Sequence, residues 1–258
     1  MKRNTAAEAI TQAHLNAMTT GDLVLNNDFS YLGYICGVLG ITFFYEYARD
    51  HYLAKDEYSK NKYHNWTHIQ NMTLNAYEGF LYSKVEGVEL RSGMIAALFH
   101  DFDHLRVSGI DDTINIRKAV KGFLLCNQNA EKHALKPEQE QSVVEYIQST
   151  RFPYVGSVLK LSVITRVLRD ADMMMIYISD KDVVAAALAG LFNERPYPEM
   201  TRNIRFEMNE FLRNQTTFTR KLVWQSAWGK KKSIIVNWIH HSKVAQLYLT
   251  KRFEQELN

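Results

Sequence analysis

Among the nine histidines of this chain, His64 and His68 stand four residues apart in Tyr63-His64-Asn65-Trp66-Thr67-His68. On a helix that spacing brings two imidazoles to one face, which suits two metal ligands, or one ligand and one proton donor. Farther on, Ala96-Ala97-Leu98-Phe99-His100-Asp101-Phe102-Asp103-His104 puts an imidazole and a carboxylate at the end of an apolar run. Buried groups of that kind must be hydrogen-bonded, paired or metal-bound. Neighbours on a helix diverge by about 100°, so His100 and Asp101 can meet one ion only near a helix end facing a central cavity. His104 follows at spacings that reach the same cavity. A third segment, Val167-Leu168-Arg169-Asp170-Ala171-Asp172-Met173, sets two carboxylates inside an apolar helix. Each segment alone also has a plain structural explanation, a capped helix end or a carboxylate paired with Arg166 or Arg169. Together they offer a mixed nitrogen and oxygen ligand set. Such a set suits one divalent Mn, Fe, Co, Ni or Zn, with Mg or Mn at a more water-rich second site.

The elements that must position these residues read as helices throughout. Helical periodicity predicts spans of about 5–19, 30–54, 65–84, 88–104, 112–128, 137–149, 156–176, 181–194, 198–214 and 218–250. Breakers separate them, including Gly87, Gly109, Pro137, Pro153, and Pro196 with Pro198. Pro137 followed by Glu138 and Glu140 is a favourable helix start. No sustained period-two alternation suggests a sheet. The expectation is an all-α fold, with residues 1–258 forming a single helical domain.

Composition narrows the function classes. A hydrophobic fraction of 46% and only four prolines fit a compact chain rather than a disordered one. The formal net charge of +3 is compatible with anionic small molecules and too weak to argue for nucleic acid. Cys36 and Cys126 form no CxxC, so neither a disulfide framework nor a thiolate zinc site is expected. The opening segment has no unbroken apolar core, and Tyr31 to Tyr47 is too short and glycine-rich to span a bilayer. A cytoplasmic protein with no membrane partner and a small-molecule substrate is therefore expected.

The order His…His-Asp…Asp over successive helices resembles the HD-domain superfamily of metal-dependent phosphohydrolases. Tyr63-His64-Asn65-x-x-His68 with His100-Asp101-x-x-His104 looks like the class I cyclic-nucleotide phosphodiesterases. The longer pattern, which takes in Asn115, Ala119, Ile147, Thr150, Asp170-Ala171-Asp172, Phe211-Leu212 and Phe218-Thr219, is similar to bacterial predicted HD phosphohydrolases. The likeness covers about residues 60–225. It implies a helical HD-type bundle in which His68, His100, Asp101 and Asp172 hold a metal, with Asp170 the alternative to Asp172. Asp101 would bridge to any second ion. His64 would protonate the leaving oxygen, and His104 would support a bridging water or a neighbouring ligand. Two departures from the phosphodiesterases stand out. Leu105-Arg106 replaces their Pro-Gly, and the late glutamine and phenylalanine that clamp a purine in that family are not evident.

The chemistry implied is hydrolysis of a phosphoester bond in a nucleotide by metal-activated hydroxide, as in a cyclic-nucleotide phosphodiesterase. Alternatives on the same site are a (deoxy)nucleoside mono- or triphosphate or an alarmone as substrate. A degenerate metal- or nucleotide-binding regulatory module is a non-enzymatic alternative, and an iron-dependent oxygenase is a third, short of histidine ligands beyond His133. Asn65, Lys62 and Arg106 are candidate substrate contacts. For the cations, Lys118 and Arg151 included, solvated surface charge is the plain reading.

Overall fold

A computed structural model describes residues 30–54, 63–105, 112–154, 157–174, 181–194, 204–233 and 251. The expected helix at 5–19, Lys62, Arg106 and the end of the last expected helix lie outside these residues. Among the described residues there is no strand, and the fold is all-α.

Nine helices are named below. Helix α1, Ser30–Val38, and α2, Thr42–Ala54, occupy the span expected as one helix. The break falls at Gly40, whose φ of +67° is open to glycine at little cost. Gly40 N–H donates to the Gly37 carbonyl at 3.1 Å and Ile41 N–H to the Cys36 carbonyl at 2.8 Å. That bond pair closes a helix by the Schellman pattern.

Helix α3, Trp66–Tyr82, starts at Asn65, whose side chain accepts the His68 N–H at 3.2 Å. Helix α4, Gly87–Phe99, is the axis of the bundle. Every residue from Ser92 to Phe99 is buried, because α2, α3, α5, α6 and α7 all pack on it. From Ser92 to Phe99 the helix is covered on all sides and has no polar face to display, which is why that stretch is nearly uniformly apolar.

The expected helix at 88–104 ends at Phe99, and a tight turn follows. Phe102 N–H donates to the Phe99 carbonyl and His104 N–H to the Asp101 carbonyl, each at 3.0 Å. Asp103 takes φ +64°, and the Tyr52 hydroxyl donates to the Asp101 carbonyl at 2.7 Å. The turn releases His100 and Asp101 from helical divergence so that both face one side.

Helix α5, Thr113–Asn129, and α6, Pro137–Ser149, match their expected spans closely. Helix α7, Val163–Met173, begins later than the expected residue 156, after a 3₁₀ turn at Val158–Lys160. The Ser162 side chain caps it by accepting the Thr165 N–H at 3.0 Å. Helix α8 is Lys181–Asn193 and α9 is Ile204–Lys221, which runs unbroken through the gap expected between 214 and 218. A short helix at 227–233 follows.

Helices α3 and α7 approach closely at Gly79, where a Cβ would lie 2.6 Å from Val167 Cγ1. Phe44, Phe80, Phe99 and Phe123 are fully buried in the shared core. Each contributes about 1.5–3 kcal/mol by leaving water. None of the described helices is long and apolar enough to cross a membrane.

Candidate metal centre

Helices α3, α4 and α7 converge on one point. His68 from the first turn of α3, His100 and Asp101 from the end of α4, and Asp172 from the last turn of α7 each turn one ligand atom inward. These four atoms lie within 4.8 Å of one another. His68 Nε2 is 3.2 Å from His100 Nε2, and Asp101 Oδ2 is 3.2 Å from both. Asp172 Oδ1 is 3.5 Å from His68 Nε2 and 3.6 Å from His100 Nε2.

A divalent cation fits this group. Donor atoms about 2.1 Å from one ion stand about 3.0 Å apart along an octahedral edge and about 3.4 Å along a tetrahedral one. His100 Nδ1 lies 2.9 Å from the Ala97 carbonyl, which can only accept, so Nδ1 carries a proton and Nε2 is the atom turned to the cluster. Two such nitrogens and two carboxylates at these distances repel unless positive charge sits among them. Burial pushes both histidines toward neutrality, yet Asp101 and Asp172 outweigh it and raise both, His100 well above the imidazole range. Burial opposes ionisation of Asp172 too, but its bonds from His100 and His68 bring it down to about 2.

The two aspartates of α7 have separate roles. Asp172 joins the cluster, and the Tyr154 hydroxyl stands 3.5 Å from its Oδ2. Asp170 faces the opposite way and serves as an anchor. It accepts Gln225 N–H at 2.9 Å, Ser226 N–H at 2.7 Å and the Ser226 hydroxyl at 2.6 Å. Of the two, Asp172 is the one gathered with His68, His100 and Asp101.

His64 sits beside the cluster, its Nε2 4.0 Å from Asp101 Oδ2. Its Nδ1 meets Glu194 Oε2 at 2.5 Å, and Glu194 Oε1 accepts the N–H groups of Tyr63 at 2.6 Å and His64 at 3.0 Å. A carboxylate on Nδ1 keeps the proton there, so Nε2 is the atom turned to the site. Burial would raise the Glu194 carboxyl, but these bonds prevail and hold it below its ordinary range. Nothing in the sequence singled out Glu194; it closes α8, far along the chain, and belongs to no recognisable motif.

The His104 ring stacks on His64, with centroids 3.7 Å apart. Asn115 Nδ2 donates to His104 Nε2 at 2.9 Å, while Asn115 Oδ1 accepts the Leu105 N–H at 3.0 Å. Burial, then the neighbouring His64, brings the His104 pKa down to about 3, so its ring is neutral at physiological pH.

A cavity of about 370 Å³ opens in front of these groups. Asp101, Asp172, His64 and His104 form its floor. Asp112, Thr150 and Gln215 add polar atoms to its walls, and Phe152, Phe211 and Phe218 are among the apolar residues that complete them. Gln215 and Phe218 lie three apart on α9, one turn of one face. In the expected spans, 198–214 and 218–250, Gln215 fell in the gap between two helices; the structure carries both residues on one.

Other expected residues are used differently. Asn65 caps α3 and does not figure among the described residues lining the cavity. Lys118 is held by Asp103, its Nζ 3.1 Å from Oδ2. Trp66 packs beside Tyr45 and Tyr52, with ring centroids 5.8 and 6.0 Å away. The chain matches no family model, no curated protein and no solved structure. The helical fold and its buried His/Asp cluster are compatible with an HD-type metal site.

Proposed function

We propose that this chain is an HD-type, metal-dependent phosphohydrolase that cleaves a phosphoester bond in a nucleotide. The observation that carries the reading is His64: one imidazole nitrogen is committed to Glu194, and the other faces the candidate metal cluster at the cavity floor.

His68, His100, Asp101 and Asp172 would hold a divalent cation, which when bound would supply charge against phosphoryl oxygens and acidity to a water at the site. The chain's own residues account for the rest. His64 Nε2 is placed to give a proton to the departing alkoxide, and the Glu194 carboxylate stabilises the imidazolium that precedes that transfer. His104, neutral and stacked on His64, restricts the ring to one plane. Tyr154 reaches Asp172 from behind. The apolar walls built from Ile116, Leu191 and Phe211 exclude bulk water. Phe218 and Gln215 suit a flat heterocycle, the first by stacking and the second with one amide donor and one acceptor.

The test is a phosphoester panel assayed with metal-loaded protein: cyclic nucleotides, nucleoside mono- and triphosphates, alarmones and bis(p-nitrophenyl) phosphate. Turnover is expected with at least one nucleotide. His64→Ala should lower kcat by about 10²–10⁴ while keeping its metal. No cleavage of any member by metal-saturated protein overturns the reading.

A further inference from the structure

Asp112 plays no part in the chemistry above, yet it lines the same cavity as Asp101 and Asp172. Its position is fixed from two directions. Phe152 N–H donates to Oδ2 at 2.8 Å, and Asn115 Nδ2 approaches Oδ1 at 3.4 Å. A carboxylate accepts at about four lone-pair positions, so these two contacts do not exhaust its capacity. The residue stands at the start of α5, with Ile116 one turn on in the same wall and Phe152 beside it.

A carboxylate here is ill suited to touch a phosphate, since like charges repel and neither can donate a hydrogen bond. The chemistry it does suit is an uncharged group rich in O–H or N–H donors. A nucleotide carries both kinds of surface, an anionic phosphate and a neutral nucleoside bearing hydroxyl and amino donors. Asn115 Nδ2 touches both His104 Nε2 and Asp112 Oδ1, so with the phosphate beside His64 the part of a nucleotide nearest Asp112 is the sugar joined to that phosphate, while Gln215 and the aromatic rings also line the cavity.

We propose that Asp112 is a specificity-determining residue that accepts hydrogen bonds from the donor edge of the nucleoside. This rests on the phosphohydrolase reading for the phosphate end and adds the recognition of the other end. Carboxylate acceptance of ribose hydroxyls is established chemistry in other nucleotide sites, and removing an acceptor for a substrate donor costs discrimination.

The experiment compares wild type with Asp112→Asn and Asp112→Ala, read as the ratio of kcat/KM on the best nucleotide to kcat/KM on bis(p-nitrophenyl) phosphate, which has no nucleoside. Asparagine keeps an acceptor for the Phe152 N–H, so the loop it anchors is retained. The ratio is expected to fall about tenfold in both variants, carried by KM on the nucleotide. An unchanged ratio overturns the proposal, because it means equal loss on both substrates or on neither.

Where wild type cleaves no phosphoester, the phosphohydrolase reading fails and the Asp112 proposal is tested separately by calorimetry. The probes are adenosine, guanosine, cytidine, uridine and their 2′,3′-dideoxy forms. Binding at least tenfold weaker to Asp112→Asn supports the proposal, and the dideoxy probes distinguish ribose from base donors. Absence of nucleoside binding, or equal binding by variant and wild type, overturns it.

Discussion

His64 and Glu194, 130 residues apart in the chain, meet through Nδ1 and Oε2 at 2.5 Å. The same carboxylate also takes two backbone N–H groups of the loop that carries His64. One side chain just past the end of α8 therefore sets both the position of the loop and the tautomer of its imidazole. Glu194→Gln should lower kcat by about 10–100-fold while leaving metal stoichiometry at the wild-type level. Metal content by mass spectrometry alongside kcat checks this, and loss of metal in the variant would contradict it.

The same carboxyl carries a pH dependence with a defined sign. Burial opposes its charge, but the His64 bond and the two amides hold its folded pKa below the ordinary value of 4.5. A depressed carboxyl contributes stability that is present above the unfolded pKa and lost as pH falls through the folded one. The thermal midpoint of wild type should thus exceed that of Glu194→Gln at pH 7, with the gap closing as pH drops below about 4.5. A gap that widens in acid would refute the assignment.

Asp170 and Asp172 should give opposite phenotypes. Asp172→Asn is expected to lose metal affinity with little loss of fold, since it removes one donor of four. Asp170→Asn should retain metal yet destabilise by about 1–3 kcal/mol, because buried N–H donors of Gln225 and Ser226 compete for one remaining acceptor oxygen. Gly229→Ala should resemble it, its Cβ placed 2.3 Å from Asp170 Oδ2. Calorimetric metal titration and thermal melts distinguish the two classes.

Metal binding itself should raise the melting temperature, because His68, His100, Asp101 and Asp172 are gathered only in the folded state. At a free metal concentration a hundred times Kd the gain is about 2.7 kcal/mol, or about 5–10 °C for a chain of this size. Mn, Ni or Zn salts against a chelator supply the comparison. Equal midpoints across all of them would exclude a metal centre.

Both cysteines should be inert in the native protein. Burial pushes the thiols of Cys36 and Cys126 up to about 12, so almost no thiolate exists at pH 8. A disulfide-exchange reagent should modify neither under native conditions and both in denaturant.

Much of this architecture could be read from residue pattern, and the failures share a cause. Helices α3, α5 and α6 carry clear amphipathic spacing or capping residues, and their spans were legible. The metal cluster was legible as well, because His68, His100 and Asp101 are polar residues in apolar surroundings. What local pattern could not carry was partnership across the chain. Glu194 looks like any helix-ending glutamate until α8 is set against the loop at Tyr63. Asp170 and Asp172 are equivalent in sequence, and only the placing of residues 224–229 separates them. Gln215 fell between two expected helices, 198–214 and 218–250, which the packing of Phe211 and Phe218 against the core joins into one.

The last turn of α7 is fastened at two points: Asp172 to the metal cluster, and Asp170, two residues earlier, to the segment at 225–226. A cation gripping Asp172 and a peptide gripping Asp170 therefore pull on one stretch of helix. If the two attachments are coupled, thermodynamic reciprocity requires that loosening the late segment weakens metal binding by the same free energy with which metal would tighten that segment. Hydrogen exchange at the amides of Gln225 and Ser226, about 55 residues downstream of the aspartate they bind, would then report on metal occupancy without any assay of turnover.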